Sequence, residues 1–227
     1  MKRLMPLIAF GAFTFLCSWS YAEDSSWDLE ASDEDRQIQV FTREVEGSEL
    51  KEFKGVTLIK TDVNALVALL KDADAATQWM HNIIEFDVKE EINEVESVVY
   101  SISETPWPVT DRDSYVRSVL TADANGTVKS TFKAEPEFGP LDEEYVRMPS
   151  VEGGWTFTPK EAGMVEVTYQ VHADPGGSLP NWLVNSIVVE TPLETLTNLH
   201  EQLKQDKYQN QRFAFIEKAK QAQVVSQ

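Results

Sequence analysis

Near the C-terminus, Trp182, Ser186, Val189, Leu193, Leu196, His200 and Leu203 step alternately by 4 and 3 residues. That spacing makes one stripe along a long amphipathic helix. Pro180 suits the first turn of this helix, where its missing N–H costs nothing. Pro192 falls inside the pattern and is expected to kink the helix or split it in two. A single long helix with one buried stripe needs a partner surface, and the rest of the chain supplies mostly strands. That order is the tightest constraint on the fold.

The strand signals begin at Ile38–Val45 and Phe53–Lys60. A helix over Val63–Lys71 follows, with Asp62 as its N-cap and Val63, Leu66, Val67 and Leu70 on one face. A short second helix is predicted over Asp74–Met80. Strands are then predicted at Ile83–Glu91, Glu94–Ser103, Asp113–Ala122, Val128–Glu135, Glu144–Arg147, Gly154–Pro159 and Met164–Ala173. Asn125-Gly126 reads as a two-residue type I′ hairpin turn, both of whose positions need positive φ. Asn125-Gly-Thr127 also matches a glycosylation sequon, although the turn accounts for it. A curved antiparallel sheet wrapped around the last helix satisfies this order, which is an α+β architecture. The interior is then either a filled core or a cavity between sheet and helix.

The N-terminus sets the compartment. Lys2 and Arg3 precede an uncharged apolar run, Leu4–Cys17, and Ser20-Tyr21-Ala22 suits signal-peptide cleavage before Glu23. The run is short of the ~20 apolar residues of a spanning helix, and an uncleaved anchor is the alternative. The expected organisation is therefore a signal peptide over 1–22, a loose polar leader over 23–36, one domain over 37–206 and a helical C-terminal extension over 207–227. The chain is expected to be periplasmic or secreted. Cleavage removes Cys17, the only cysteine, so stability must come from a hydrophobic core rather than a disulfide. It also takes the formal charge from −18 to −20, because Lys2 and Arg3 leave and no acid does. Such a body is repelled by nucleic acid and by anionic membranes.

Chemistry-bearing motifs are sparse. His81, His172 and His200 have no metal-ligand spacing, and the mature chain has no thiolate, so neither a metal nor a cofactor is expected. There is no GxSxG elbow, P-loop or GxGxxG pattern. The pairs Glu90-Glu91 and Glu143-Glu144 read as solvated faces, since acid–base work needs burial to tune pKa values. Gly176-Gly177, before the long helix, reads as a tight turn.

Three segments carry a resemblance to a known family. Pro106-Trp107-Pro108-Val109-Thr110-Asp111-Arg112-Asp113 resembles the PxPxxxRD segment of StAR-related lipid-transfer (START) domains. Glu144-Tyr145-Val146-Arg147-Met148-Pro149 with Gly153-Gly154-Trp155 is similar to the family's next stretch. Asp174-Pro175-Gly176-Gly177-Ser178-Leu179-Pro180-Asn181-Trp182 is similar to its approach to the C-terminal helix. The resemblance spans roughly Trp27 to Leu203. It implies a helix-grip fold with a hydrophobic cavity, one lipid or other hydrophobic small molecule inside it, and no catalytic residue. It leaves room for transient membrane contact, and a monomer is expected.

The resemblance also places a lid loop at Pro136–Leu141. Ligand contacts are accordingly expected from Phe138 and Leu141 on that loop, from Trp182, Ser186, Val189, Leu193, Leu196 and His200 on the helix, and from Arg117 and Tyr100 on the strands. Ligand is expected to enter between Phe138–Leu141 and Leu193–Leu196. Arg112 is expected to pair with a carboxylate and fix the chain between strands without touching ligand. One departure stands out. The positions of a buried Asp–Arg pair used by several animal sterol-binding members fall near Val99 and Ser118, neither of which is charged. Arg117 is adjacent, but on strict alternation it points opposite to Ser118. Two rival readings remain open: an enzyme of cyclase or hydrolase type on a helix-grip fold, and a protein-interaction module with a filled core.

Overall fold

The computed structural model describes residues 26–225, so the expected signal segment and the first residues of the leader lie outside it. The strands are β1 (Asp28–Asp33), β2 (Ile38–Arg43), β3 (Glu52–Lys60), β4 (Ile83–Asn93), β5 (Glu96–Ser103), β6 (Arg112–Ala122), β7 (Val128–Ala134), β8 (Val146–Arg147), β9 (Ser150–Pro159) and β10 (Met164–Asp174). The helices are α1 (Val63–Leu70), α2 (Ala76–Trp79), α3 (Asn181–Gln202) and α4 (Ala214–Val225). The sheet runs β1-β2-β3-β10-β9-β7-β6-β5-β4, every neighbour antiparallel, with short β8 parallel to the start of β6. It is curved and unclosed, and α3 lies across its concave side in the helix-grip arrangement.

Glycines fix where the sheet bends and where the helix rests. A Cβ on Gly153 would collide with the Gln170 carbonyl oxygen on β10, and one on Gly154 with the Ser130 carbonyl oxygen on β7. The three strands therefore close up more tightly at this point than any side chain would allow. At Gly55 on β3 a Cβ would stand 2.7 Å from Leu196 Cδ1 and 3.2 Å from Pro192 Cβ. The helix is seated directly on the strand backbone there. α3 is assigned as one continuous helix through Pro192, so the expected split does not occur.

The main core gathers at one end of the grip. Ile38 and Val40 of β2, Leu66 and Leu69 of α1, Trp79, Phe157, Val167, Leu196 and Leu199 of α3, and Leu203 at its C-cap are all buried in one cluster. Asp62 caps α1 as expected, its carboxylate accepting from the Asn64 backbone N–H at 2.7 Å. The C-terminal extension closes this end: Ile216 of α4 is fully buried in the same cluster, and the Phe213 N–H donates to Asn64 Oδ1 at 3.1 Å.

Two local expectations are corrected. The leader over 23–36 is not loose throughout: β1 pairs with β2, the Thr42 hydroxyl donates to Glu30 at 2.7 Å, and Trp27 lies beneath the Arg43 and Lys54 cations. Its polar composition suits an edge strand with a solvated side. The β6–β7 hairpin has a five-residue loop, Asp123 to Thr127, rather than a two-residue turn. Of Asn125 and Gly126 only Gly126 has positive φ, and the Asp123 carboxylate accepts from the Asn125 and Thr127 N–H groups. That is a turn followed by a left-handed glycine, the next commonest hairpin solution.

Candidate functional site

Between the sheet and α3 lies a cavity of about 920 Å³. Strand alternation decides its wall. On β6 the inward residues are Arg112, Ser114, Val116, Ser118 and Leu120; on β5 they are Ser97, Val99, Ser101 and Ser103. Ser130 and Phe132 continue the wall on β7. This half is a tier of hydroxyls. Ser101 and Ser114 hydrogen-bond at 3.0 Å, and Ser118 and Ser130 at 3.2 Å, so each pair spends one of its two hydroxyl hydrogens and keeps the other for a further acceptor. The other half is aromatic and aliphatic. Tyr169 stacks on Trp155 with ring centroids 4.0 Å apart and meets Phe53 edge-on at 5.2 Å. Burial pushes the Tyr169 hydroxyl up from the ordinary phenol range. Leu183 and Ile187 of α3 face this surface, with Ser186, Glu190, Thr191 and Thr195 also on the wall. The carboxylate residues Glu91, Glu94, Glu104 and Glu190 are exposed and mark the rim.

Few of the residues expected at the site are there. Ser186 lines the cavity and donates to Glu190 at 2.7 Å. Val189 packs beside it, against Phe53, Val171 and Val188. Leu193 and Leu196 belong to the filled core instead, because that side of α3 is pressed onto β3 at Gly55. His200 also faces the filled end. The single Thr57 hydroxyl hydrogen goes to the Arg36 carbonyl, so His200 Nε2–H is the donor in its 2.8 Å bond to Thr57. Burial first, and then the nearby Arg36 charge, hold the His200 imidazole below its ordinary pKa. The predicted stripe is thus the packing stripe. The cavity-facing residues Leu183, Ile187, Thr191 and Thr195 step by four along a different face of the helix. The side chain of Trp182 lies outside the described ones.

The strand and loop expectations fail for a common reason, which is the face they occupy. Tyr100 and Arg117 point away from the cavity. Arg117 pairs with Glu96 at 2.9 Å and Glu135 at 2.5 Å in an open depression on the outer face. Tyr100 is buried with Val98, Ile102 and Tyr115 in a small outer cluster; burial and the Asp113 carboxylate push its hydroxyl up. Phe138 stacks at 5.5 Å on Tyr115 of the same outer cluster, and Leu141 is 76% exposed. Arg147 fastens this loop: it binds Asp113 through two nitrogens, at 3.0 and 2.8 Å, and donates to the carbonyls of Pro136, Gly139 and Pro140. The loop therefore packs on the outer face, with Phe138 and Leu141 off the cavity wall and Leu193 and Leu196 in the filled core, so the structure does not bring the two sides of the expected gate together.

Arg112 also departs from expectation. It ties the chain together, but through the carbonyls of Thr110, Pro175 and Gly176 rather than through a carboxylate, and it lies on the cavity wall. Among the described residues no group of three or more His, Cys, Asp or Glu side chains is placed to hold a metal, and no helix is long and apolar enough to cross a membrane.

A sheet curved around a deep cavity and gripped by one helix defines a helix-grip protein. The chain belongs to the START domain family, whose model matches residues 16–207. It is 38% identical over 200 residues to an uncharacterised protein of Pseudomonas aeruginosa, covering 88% of this chain and 96% of that one. A solved STAR-related lipid transfer protein from Xanthomonas axonopodis (fragment 25–204) superimposes with a TM-score of 0.72 at 38% identity, over 79% of this chain and 99% of that one. Human StAR-related lipid transfer protein 5 has the same fold, with a TM-score of 0.71 at 16% identity over 81% and 88% of the two chains. These relatives support a role in binding a lipid or other hydrophobic ligand.

Proposed function

We propose that this protein is a non-catalytic carrier that holds one lipid or other hydrophobic molecule in the cavity beneath α3 and delivers it by transient contact with a membrane. The observation that carries the reading is the cavity itself. Its volume of about 920 Å³ falls within the ~300–1,000 Å³ usual for ligand sites, and it is empty of side chains although the filled core is only a few residues away. Four of its hydroxyls bond to one another, Ser101 to Ser114 and Ser118 to Ser130, rather than to a side chain that could act as a base, which supports a carrier over an enzyme. The sequence of residues 1–22 supports export to the periplasm or beyond, and the acidic body supports a monomer in solution.

Native mass spectrometry of the exported protein tests this reading. The expected result is a chain beginning at Glu23 with one apolar adduct per protomer. An adduct-free protein that takes up no fluorescent lipid analogue would overturn it.

A further inference from the structure

Arg112 is 4% exposed, and its neighbour in sequence accounts for its unusual state. Alternation along β6 sends Arg112 inward and Asp113 outward. Asp113 is taken by Arg147, which is also buried and has a carboxylate on two of its nitrogens. Arg112 has none. The other adjacent acid, Asp111, attracts Arg112 through space but makes no hydrogen bond to it, its carboxylate accepting instead from the Thr105 backbone N–H at 2.7 Å and from the Thr105 hydroxyl at 3.2 Å. The guanidinium reaches three carbonyl oxygens, two of them at a long 3.4 Å, so two of its five N–H groups have no acceptor among the described residues. A buried cation is ordinarily matched by an anion, because desolvation is costly and carbonyl dipoles offset it only in part. The carboxylates on the cavity rim are exposed, while Arg112 is at its inner wall. Ser103 stands opposite Arg112 across the β5–β6 ladder, and Ser114 is the next inward residue.

We infer that the cavity selects amphiphiles with an acidic head group, a carboxylate or a phosphate, which Arg112 holds by charge-assisted hydrogen bonds with the Ser103 and Ser114 hydroxyls beside it. The inference rests on the carrier reading and names the ligand class for the same cavity. From Arg112 to Leu120 the inward face of β6 runs about eight residue steps, ~26 Å at the rise of a strand, which suits an extended acyl tail behind the head.

The test uses the delipidated mature protein and three fluorescent probes with the same acyl chain: the free fatty acid, its methyl ester and the monoacyl phosphatidic acid. The fatty acid, the phosphatidic acid or both are expected to bind at least about tenfold more tightly than the ester, the range for a hydrogen bond to a charged group. The tighter of the two names the head group. Equal affinity of ester and acids overturns the inference while leaving the carrier reading intact; binding of none of the three overturns the carrier reading itself. Arg112→Met is expected to abolish the preference and keep ester binding. Because Arg112 also ties three carbonyls, the Ser103→Ala/Ser114→Ala double variant serves as a milder probe and is expected to lower the preference several-fold. An undiminished preference in a folded Arg112→Met protein overturns the assignment.

Discussion

The two ends of the grip are built from the same sheet and the same helix, yet one is filled and the other hollow. At the filled end Leu196, Leu199 and Leu203 press onto β2, β3 and α1, and the glycine at position 55 lets the helix sit on the strand. At the hollow end the helix presents Leu183 and Ile187, which are no smaller, to the aromatic half of a cavity whose other half is lined by serines. The difference lies in the sheet. Serine side chains are short, and the Ser101–Ser114 and Ser118–Ser130 pairs each share a hydrogen bond, so part of the wall's polar demand is met without a layer packed against it. A wall of truncated aliphatics would instead lose dispersion contacts around the void. Small hydroxyls keep the space open at low cost.

Substitutions on the two sides should respond very differently. The largest effect is expected from Leu196→Ala, which removes a fully buried side chain at the point of closest helix–strand approach and should cost about 3–4 kcal/mol in chemical denaturation. Next is Gly55→Ala, whose new methyl would stand 2.7 Å from Leu196 Cδ1; with some repacking of that side chain a loss of about 1–3 kcal/mol is expected by the same measurement. On the hollow side Val116→Phe should change stability by less than about 1 kcal/mol, since the ring enters empty space, while abolishing uptake of a fluorescent lipid. A loss as large as that of Leu196→Ala would mean that the two ends are packed alike.

The smallest effect concerns pH at the filled end. Burial lowers the His200 pKa below its ordinary 6.5, so the unfolded chain takes up a proton first as the solution is acidified. The stability His200 contributes is therefore fully present above about pH 6.5 and is lost as pH falls through its folded value. Denaturation curves at about pH 7 and pH 5 should show a shallower loss for His200→Gln than for the parent, and ligand affinity should be untouched.

Much of this architecture is legible in the amino-acid order. The Asp62 cap, the strand positions, the long last helix and the START segments all point to the helix grip. The site is legible in much smaller part, because the pattern that usually marks inside and outside is reversed on β5. Val98, Tyr100 and Ile102 alternate with Ser97, Ser101 and Ser103, which reads as an apolar core face and a solvated one. The apolar set is indeed buried, but beneath the loop at 136–145, and the polar set faces the cavity. Helix periodicity misleads in a related way: the most apolar stripe of α3 is the one that fills, so the cavity stripe beside it is weaker in sequence. Alternation alone would have excluded Arg117, since Ser118 is inward.

The salt bridge between Asp113 and Arg147 has a meaning beyond holding a loop. Side chains on a strand change faces with every residue, so a slip of β6 by one position would turn its serines out to solvent and drive Tyr115 and Arg117 into the cavity. Asp113 is the second residue of that strand, it is 1% exposed, and its carboxylate meets Arg147 on β8, the short strand paired with the start of β6. Displacing it by one position would leave two buried charges on opposite sides of the sheet, a far larger penalty than a neutral ladder imposes. The ion pair acts as a phase marker for the whole strand: it fixes which half of an otherwise ambiguous alternation becomes the inside of the vessel.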